Sequence, residues 1–132
     1  MKELRIIIAG SRDFNDYKLL KTSIRDILKN TSLENINKIK IISGTARGAD
    51  QLGEQFAKQF KLEVVRFAAD WDRYGKRAGY IRNEEMAKYA IKDDNYGMLV
   101  AFWDGESKGT KHMINLAKKH GLEIHVVNFR EN

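Results

Sequence analysis

Residues 4–14 have the sequence L-R-I-I-I-A-G-S-R-D-F, in which an almost unbroken apolar run ends at a glycine. A continuous run of β-branched residues is typical of a strand that is buried on both faces of a sheet. Gly10-Ser11-Arg12 is predicted to form a turn, and Asn15 or Asp16 is placed to cap a helix that ends near Lys29. The strand, turn and helix together predict the first unit of a parallel α/β fold.

The same alternation continues along the rest of the chain. Further strands are predicted at short apolar segments, over residues 39–43, 62–67, 98–102 and 124–129. Helices are predicted over residues 49–60, 79–92 and 110–120. Strands that alternate with helices predict a Rossmann-like, doubly wound α/β domain of five mainly parallel strands, with the order 3-2-1-4-5 and with helices on both faces.

Composition limits the class of protein. The chain has 132 residues, which predicts a single domain over residues 1–132. It contains no cysteine, which excludes a disulfide scaffold, a thiol nucleophile and a cysteine-ligated metal site. The sequence has no apolar run of the ~20 residues that a membrane span needs and no segment typical of a signal peptide. We therefore expect a cytoplasmic protein that does not contact membranes.

The charge is the next constraint. Lys and Arg number 24 against 18 Asp and Glu, which gives a net charge of +6. A basic protein often binds phosphate on a nucleotide or a nucleic acid. Most of the lysines lie on predicted helix surfaces, where they are typical of a solvated face. The basic stretch from Arg73 to Arg82 keeps nucleic-acid binding as the less favoured alternative.

Polar turns that contain glycine follow several predicted strands at their carboxyl ends. A helix N-terminus offers free N–H groups and partial positive charge, and glycine lets an anion approach the backbone closely. Because the carboxyl ends of parallel strands meet at one edge of the sheet, these turns predict a cleft for a phosphate-bearing ligand. The two tryptophans are candidates for stacking on a base. The predicted ligand-binding residues are Gly10, Ser11, Arg12, Ser43, Gly44, Arg47, Gly48, Asp50, Trp71, Arg82, Asn83, Trp103, Ser107, Gly109 and Thr110.

Two common nucleotide motifs are missing from the sequence. It contains neither G-x-G-x-x-G, the dinucleotide fingerprint, nor G-x-x-x-x-G-K-[ST], the P-loop. The predicted ligand is therefore a nucleotide-type small molecule held by other loops. No cofactor and no metal site is predicted.

Four segments resemble the YspA-type, cpYpsA-related branch of the SLOG superfamily. They are G-S-R-D-F at 10–14, S-G-T-A-R-G-A-D at 43–50, W-D-R-Y-G-K-R-A-G-Y-I-R-N-E-E-M at 71–86 and S-K-G-T at 107–110. The resemblance extends from residue 4 to about residue 127. It implies a Rossmann-like fold that binds a nucleotide or a nucleotide-derived ligand for sensing, sequestration or processing. It also implies a homo-oligomer and a connection with phage or other conflict systems.

The resemblance leaves an enzymatic alternative open. The superfamily includes the "lonely guy" phosphoribohydrolases, which implies hydrolysis of the N-glycosidic bond of nucleoside monophosphates. Those relatives carry P-G-G-x-G-T-x-x-E after the fourth strand and an arginine on the preceding helix. Here Gly109-Thr110 keeps the G-T step and Arg82 resembles the arginine, but Met113 replaces the catalytic glutamate. A carboxylate near the ribose stabilises the charge that develops there, so Glu106 is a candidate catalytic residue in place of the missing glutamate. Arg82 is the other candidate, because it resembles the relatives' arginine. Other carboxylates that could substitute are Asp104, Glu84 and Glu85.

Overall fold

The computed structural model describes residues 2–130. The strands are β1 (Lys2–Gly10), β2 (Ile36–Ser43), β3 (Glu63–Arg66), β4 (Tyr96–Trp103) and β5 (Glu123–Asn128). The helices are α1 (Tyr17–Lys29), α2 (Ala49–Gln59), the short α3 (Trp71–Tyr74), α4 (Ala78–Ile91) and α5 (Lys108–Lys119), and two 3-10 turns cover Gly75–Arg77 and Lys92–Asp94. None of these helices is long and apolar enough to cross a membrane.

The five strands form one parallel sheet in the order β3-β2-β1-β4-β5, which confirms the predicted order. The central strand β1 contains the apolar run of residues 4–9. Ile6 pairs with Ile41 of β2 on one side and with Met98 of β4 on the other. All six residues from Leu4 to Ala9 are buried, as expected for a strand that is covered on both faces.

Each face of the sheet has its own core. Ile6 and Ile8 point to the face that α1 and α2 cover, whereas Ile7 and Ala9 point to the face that α4 and α5 cover. Phe14 belongs to the first core, where it stacks on Phe102 with ring centroids 4.9 Å apart. This contact fixes the turn that follows β1, because the turn lies between the end of the strand and the buried ring.

The structure differs from the predicted elements in several places. Residues 68–78, for which no helix or strand is predicted, include α3 and a 3-10 turn. Asp70 starts α3, since its side chain accepts a hydrogen bond from the Arg73 N–H at 3.1 Å. β2 and β4 also begin earlier than expected, at Ile36 and Tyr96. Both residues pair with β1, so backbone pairing extends these strands beyond their apolar segments.

Candidate functional site

A cleft of about 490 Å³ opens at the carboxyl ends of β1 and β4, where the strand order reverses. This is the position at which open parallel sheets bind ligands. Its walls come from the turn after β1, the start of α2, one side of α4 and the start of α5. Eleven of the fifteen predicted residues line it, namely Gly10, Ser11, Arg12, Arg47, Asp50, Trp71, Arg82, Asn83, Ser107, Gly109 and Thr110.

The other four predicted residues lie around this cleft. Gly44 lines an adjoining hollow of about 310 Å³. Ser43 is 1% exposed, and its hydroxyl donates to Glu54 Oε2 at 2.6 Å. Gly48 has a φ of +89°, and a Cβ there would lie 2.4 Å from the Ser11 carbonyl oxygen. The Trp103 Nε1–H donates to the Ser107 carbonyl at 3.1 Å. Ser43, Gly48 and Trp103 therefore hold the turns in place behind the cleft wall.

The cleft wall also contains residues that the sequence did not single out as ligand-binding. Lys76 and Tyr80 come from the basic and aromatic segment between Trp71 and Met86, so the composition of that segment was the available indication. Asp104 was considered only as a substitute carboxylate. The full set is Ala9, Asp13, Ala46, Lys76, Gly79, Tyr80, Met86 and Asp104.

The start of α5 is built by the turn that follows β4. Asp104 Oδ1 accepts hydrogen bonds from the backbone N–H groups of Glu106 and Ser107, both at 2.8 Å. These two donors hold the pKa of the Asp104 carboxyl below its usual range. The Ser107 side chain then caps α5 by accepting from the Thr110 N–H. The result is a fixed helix N-terminus, whose first N–H groups have no helical acceptor, at the edge of the cleft.

Ser11 joins the β1 turn to the β4 turn. It is 2% exposed, and its N–H donates to the Phe102 carbonyl at 3.0 Å. Its hydroxyl oxygen accepts from the Asp104 N–H at 3.3 Å. The two turns are therefore fixed relative to each other before any ligand arrives, which lowers the cost of ordering a binding site.

A buried acid lies near a half-buried arginine in the cleft wall. Asp50, in the first turn of α2, is 5% exposed, and its Oδ2 accepts from the Ala46 N–H at 3.2 Å. Burial raises the pKa of Asp50 to about 6, although the Ala46 N–H and the charge of Arg82 oppose that rise. Burial also lowers the pKa of Arg82, whose Nη1 donates to the Gly44 carbonyl. Each charge thus carries a desolvation cost at the place where a ligand would bind.

Arg82 is also held by a chain of hydrogen bonds on α4 and α5. Its Nε donates to Asn83 Oδ1 at 3.0 Å, and Asn83 Nδ2 lies 3.1 Å from His112 Nδ1. A guanidinium can only donate, so the amide oxygen of Asn83 must face Arg82 and its NH₂ must face His112. His112 Nδ1 is then the acceptor. Burial lowers the pKa of His112, which agrees with a neutral ring.

A larger cavity, of about 830 Å³, lies at the opposite edge of the sheet, next to the start of β4 and the end of α1. Its charged lining consists of the acids Asp26, Glu34 and Glu123, accompanied by His125. No lysine or arginine is among the described lining residues of this cavity. Its acidic side chains therefore repel phosphate. The smaller cleft, which contains four cationic side chains (Arg12, Arg47, Lys76 and Arg82), is therefore the candidate site.

The carboxylates considered for catalysis are mostly away from the cleft. Glu106 is exposed on the β4–α5 turn, Glu85 is exposed on α4, and Glu84 pairs with His120 and Lys88. Met113 is 1% exposed and belongs to the core on the α4–α5 face. Asp50 is the buried carboxyl that lines the cleft. Among residues 2–130, no three His, Asp or Glu side chains are grouped so that they could hold a metal ion.

The sequence is similar to known proteins. The sequence profile of the YspA, cpYpsA-related SLOG family matches residues 4–74. The chain is 32% identical over 130 residues to the Gene 61 protein of Mycobacterium phage D29, and the match covers 95% of each chain. No solved structure matches the chain.

Proposed function

The chain belongs to the YspA, cpYpsA-related SLOG family, and from this premise we propose that its cleft binds a nucleotide or a nucleotide-derived ligand. The family and the Rossmann-like parallel sheet both fit a nucleotide-ligand-binding domain. The observation that carries the proposal is the convergence of three turns, after β1, before α2 and before α5, on one cleft. A ligand there meets backbone N–H groups from separate segments of the chain.

The phosphate is proposed to bind at the start of α5. Ser107 and Thr110 supply hydroxyl groups there, and Gly109 has nothing within 4 Å of its hypothetical Cβ. An anion can therefore approach the first N–H groups of the helix closely. Arg12 and Arg82 line the same cleft and add cationic donors.

The base is proposed to lie against the aromatic side of the cleft. Trp71 is 50% exposed and Tyr80 is 46% exposed, and both line the cleft. Exposed aromatic rings at the edge of a cleft provide faces on which a base can stack. A volume of about 490 Å³ falls within the usual range for a small-molecule site, ~300–1,000 Å³. The size favours a single nucleotide over a nucleic-acid strand.

The role of binding is proposed to be sensing, sequestration or processing of the ligand. The similarity to a phage protein supports a phage-related setting. A homo-oligomer and a cytoplasmic location also remain proposals. Hydrolysis of the N-glycosidic bond is the second candidate function, and the presence of the Asp50 carboxyl in the cleft favours it, because such cleavage needs a carboxylate near the ribose.

A thermal-shift screen over nucleoside mono-, di- and triphosphates, cyclic nucleotides and ADP-ribose tests the binding proposal. A ligand at a hundred times its Kd adds about 2.7 kcal/mol to the folded state, which raises the midpoint by several degrees. Arg82→Ala should remove that shift. Arg25→Ala, which removes an equal charge from the exposed surface of α1, should keep it.

Two further measurements separate the alternatives. Release of free base from the bound nucleotide, lost in Arg82→Ala, would assign processing. Binding that strengthens with strand length and weakens steeply with salt would assign nucleic acid instead. No stabilisation by any compound of the screen would contradict the proposal.

A further inference from the structure

We propose that Asp50 accepts a hydrogen bond from an uncharged donor group of the ligand, either a ribose hydroxyl or a base amino group. This inference rests on the proposed function, because it assigns a second recognition point within the same cleft. The cleft then has two parts, an end that attracts the phosphate and the Asp50 carboxylate, which selects a ligand with a hydrogen-bond donor.

Asp50 is 5% exposed and lines the cleft, so the exposed part of this residue faces the ligand space. Within residues 2–130 its carboxylate accepts one hydrogen bond, from the Ala46 N–H to Oδ2. A carboxylate has room for about four hydrogen bonds. Much of its accepting capacity is therefore left for a ligand.

Nearby cations do not neutralise Asp50 through direct contact. Within residues 2–130, no ion pair within 4.0 Å joins Asp50 to a cation, and Arg82 donates instead to the carbonyl oxygen of Gly44. A buried charge without a direct partner costs folding free energy. Such a group in a cleft is a candidate for ligand recognition.

The chemistry of a carboxylate determines what it can bind. Ionised Asp50 only accepts hydrogen bonds, and its negative charge opposes a phosphate placed directly against it. The phosphate therefore belongs at the α5 N-terminus and the arginines. Asp50 is left for a part of the ligand that carries hydrogen-bond donors. In a nucleotide those donors are the ribose hydroxyls and the amino groups of the base.

A purely structural role makes a different prediction. If Asp50 served only to cap the turn through the Ala46 N–H, an asparagine would do so equally well, because its amide oxygen accepts the same bond. The Asp50→Asn variant therefore keeps the cap and removes the charged acceptor. Asp26→Asn is the matched control, because Asp26 is an exposed acid on α1 at the opposite cavity.

The test is calorimetric titration at pH 7.5 in the presence of EDTA, so that a bridging cation cannot contribute. The probes are whichever of AMP, GMP and CMP binds most tightly, its 2′-deoxy counterpart, and a counterpart without the amino group (IMP for a purine, UMP for CMP). Loss of a hydrogen bond to a charged acceptor weakens binding about tenfold or more. A tenfold loss with the deoxy probe assigns the ribose, and a tenfold loss with the amino-free probe assigns the base.

In Asp50→Asn the preference for the nucleotide over the probe that lacks the donor should fall to about threefold or less. The Asp26→Asn control should keep the full preference. Equal binding of all three probes, or an unchanged preference in Asp50→Asn, would overturn the role of Asp50 and leave nucleotide binding intact. Failure of every nucleotide to bind would reject the proposed function, and this inference with it.

Discussion

Asp50 and Arg82 lie against Gly44, since a Cβ at Gly44 would be 2.8 Å from Asp50 Oδ2 and 2.9 Å from Arg82 Nη1. The glycine therefore leaves the space in which the two opposite charges sit near each other. Arg82 uses that space to reach the Gly44 carbonyl, and Asp50 keeps its bond to the Ala46 N–H. The missing side chain at position 44 is thus part of the site.

Replacing Gly44 by alanine is expected to alter the site without unfolding the protein. The atoms that the new methyl group would meet first are the ends of two flexible side chains, which can move aside. We predict a loss of nucleotide affinity of about tenfold, because the displaced groups are those proposed to bind the ligand. Calorimetry measures the affinity, and a thermal melt shows whether the fold survives. Wild-type affinity in a folded Gly44→Ala variant would show that the two side chains do not act on the ligand.

Gly109→Ala is predicted to stabilise the fold and to weaken nucleotide binding. The residue lies in the first turn of α5 with open space around it. Alanine in a helix is favoured over glycine by up to about 1 kcal/mol, so the melting temperature should rise slightly. The added methyl group would occupy the approach to the helix N–H groups, and nucleotide affinity should fall. An unchanged affinity would place the phosphate elsewhere.

Asp50→Asn is expected to make the protein more stable at neutral pH. The carboxyl has a pKa of about 6 in the folded chain, against an ordinary value of 3.8. Between these values the folded state binds the proton that the unfolded state has lost, so the free energy of unfolding decreases as the pH rises through this window. Ionised Asp50 destabilises the folded state by on the order of 1–3 kcal/mol. This destabilisation is fully present above pH 6 and is absent below about pH 3.8.

Urea unfolding of both proteins at pH 7.5 and pH 3.5 measures this difference. The free energy of unfolding of Asp50→Asn should exceed that of the wild type at pH 7.5, and the two values should converge at pH 3.5. Asp13→Asn, a change at an exposed acid paired with Arg130, should alter stability by less than about 0.5 kcal/mol. A variant that is less stable than the wild type at pH 7.5 would show that the charge of Asp50 stabilises the fold.

His112 is predicted to be neutral at pH 7, with its proton on Nε2. Asn83 donates to Nδ1 in the hydrogen-bond chain that begins at Arg82, and burial lowers the pKa of His112 below 6.5. Nitrogen-15 NMR of the ring reports both the tautomer and the titration. In Asn83→Asp a carboxylate would face the ring, and the pKa of His112 should rise. A His112 ring protonated on Nδ1 at pH 7 would contradict the hydrogen bonds that run from Arg82 through Asn83 to His112.

Much of the fold follows from β1. A strand whose residues alternate between two cores has to be apolar throughout, and such a strand lies in the interior of a parallel sheet. The strand order then followed from the βα alternation and the handedness of the crossovers. The early starts of β2 and β4 could not be predicted in the same way. They depend on backbone pairing with β1, which side-chain polarity does not record.

The candidate site was predictable at the level of turns but not of individual contacts. Turns at the carboxyl ends of parallel strands converge, so most of the predicted residues line one cleft. Ser43 and Trp103 lie at the carboxyl ends of strands like the residues that line the cleft. Their side chains nevertheless donate hydrogen bonds to Glu54 and to the Ser107 carbonyl. Asp50 lies near distant segments of the chain, including that of Arg82, which is 32 positions further along the sequence. No local sequence pattern specifies this proximity.

The most direct test of the account is a backbone NMR titration with the tightest nucleotide of the thermal-shift screen. We predict that the amide signals of residues 10–12, 46–50 and 107–110 shift together and saturate with one Kd. Signals around the larger cavity at the opposite edge of the sheet, such as those of Asn30 and Tyr96, should stay unchanged. Shifts confined to that opposite cavity, or to one of the three turns alone, would contradict binding in a shared cleft.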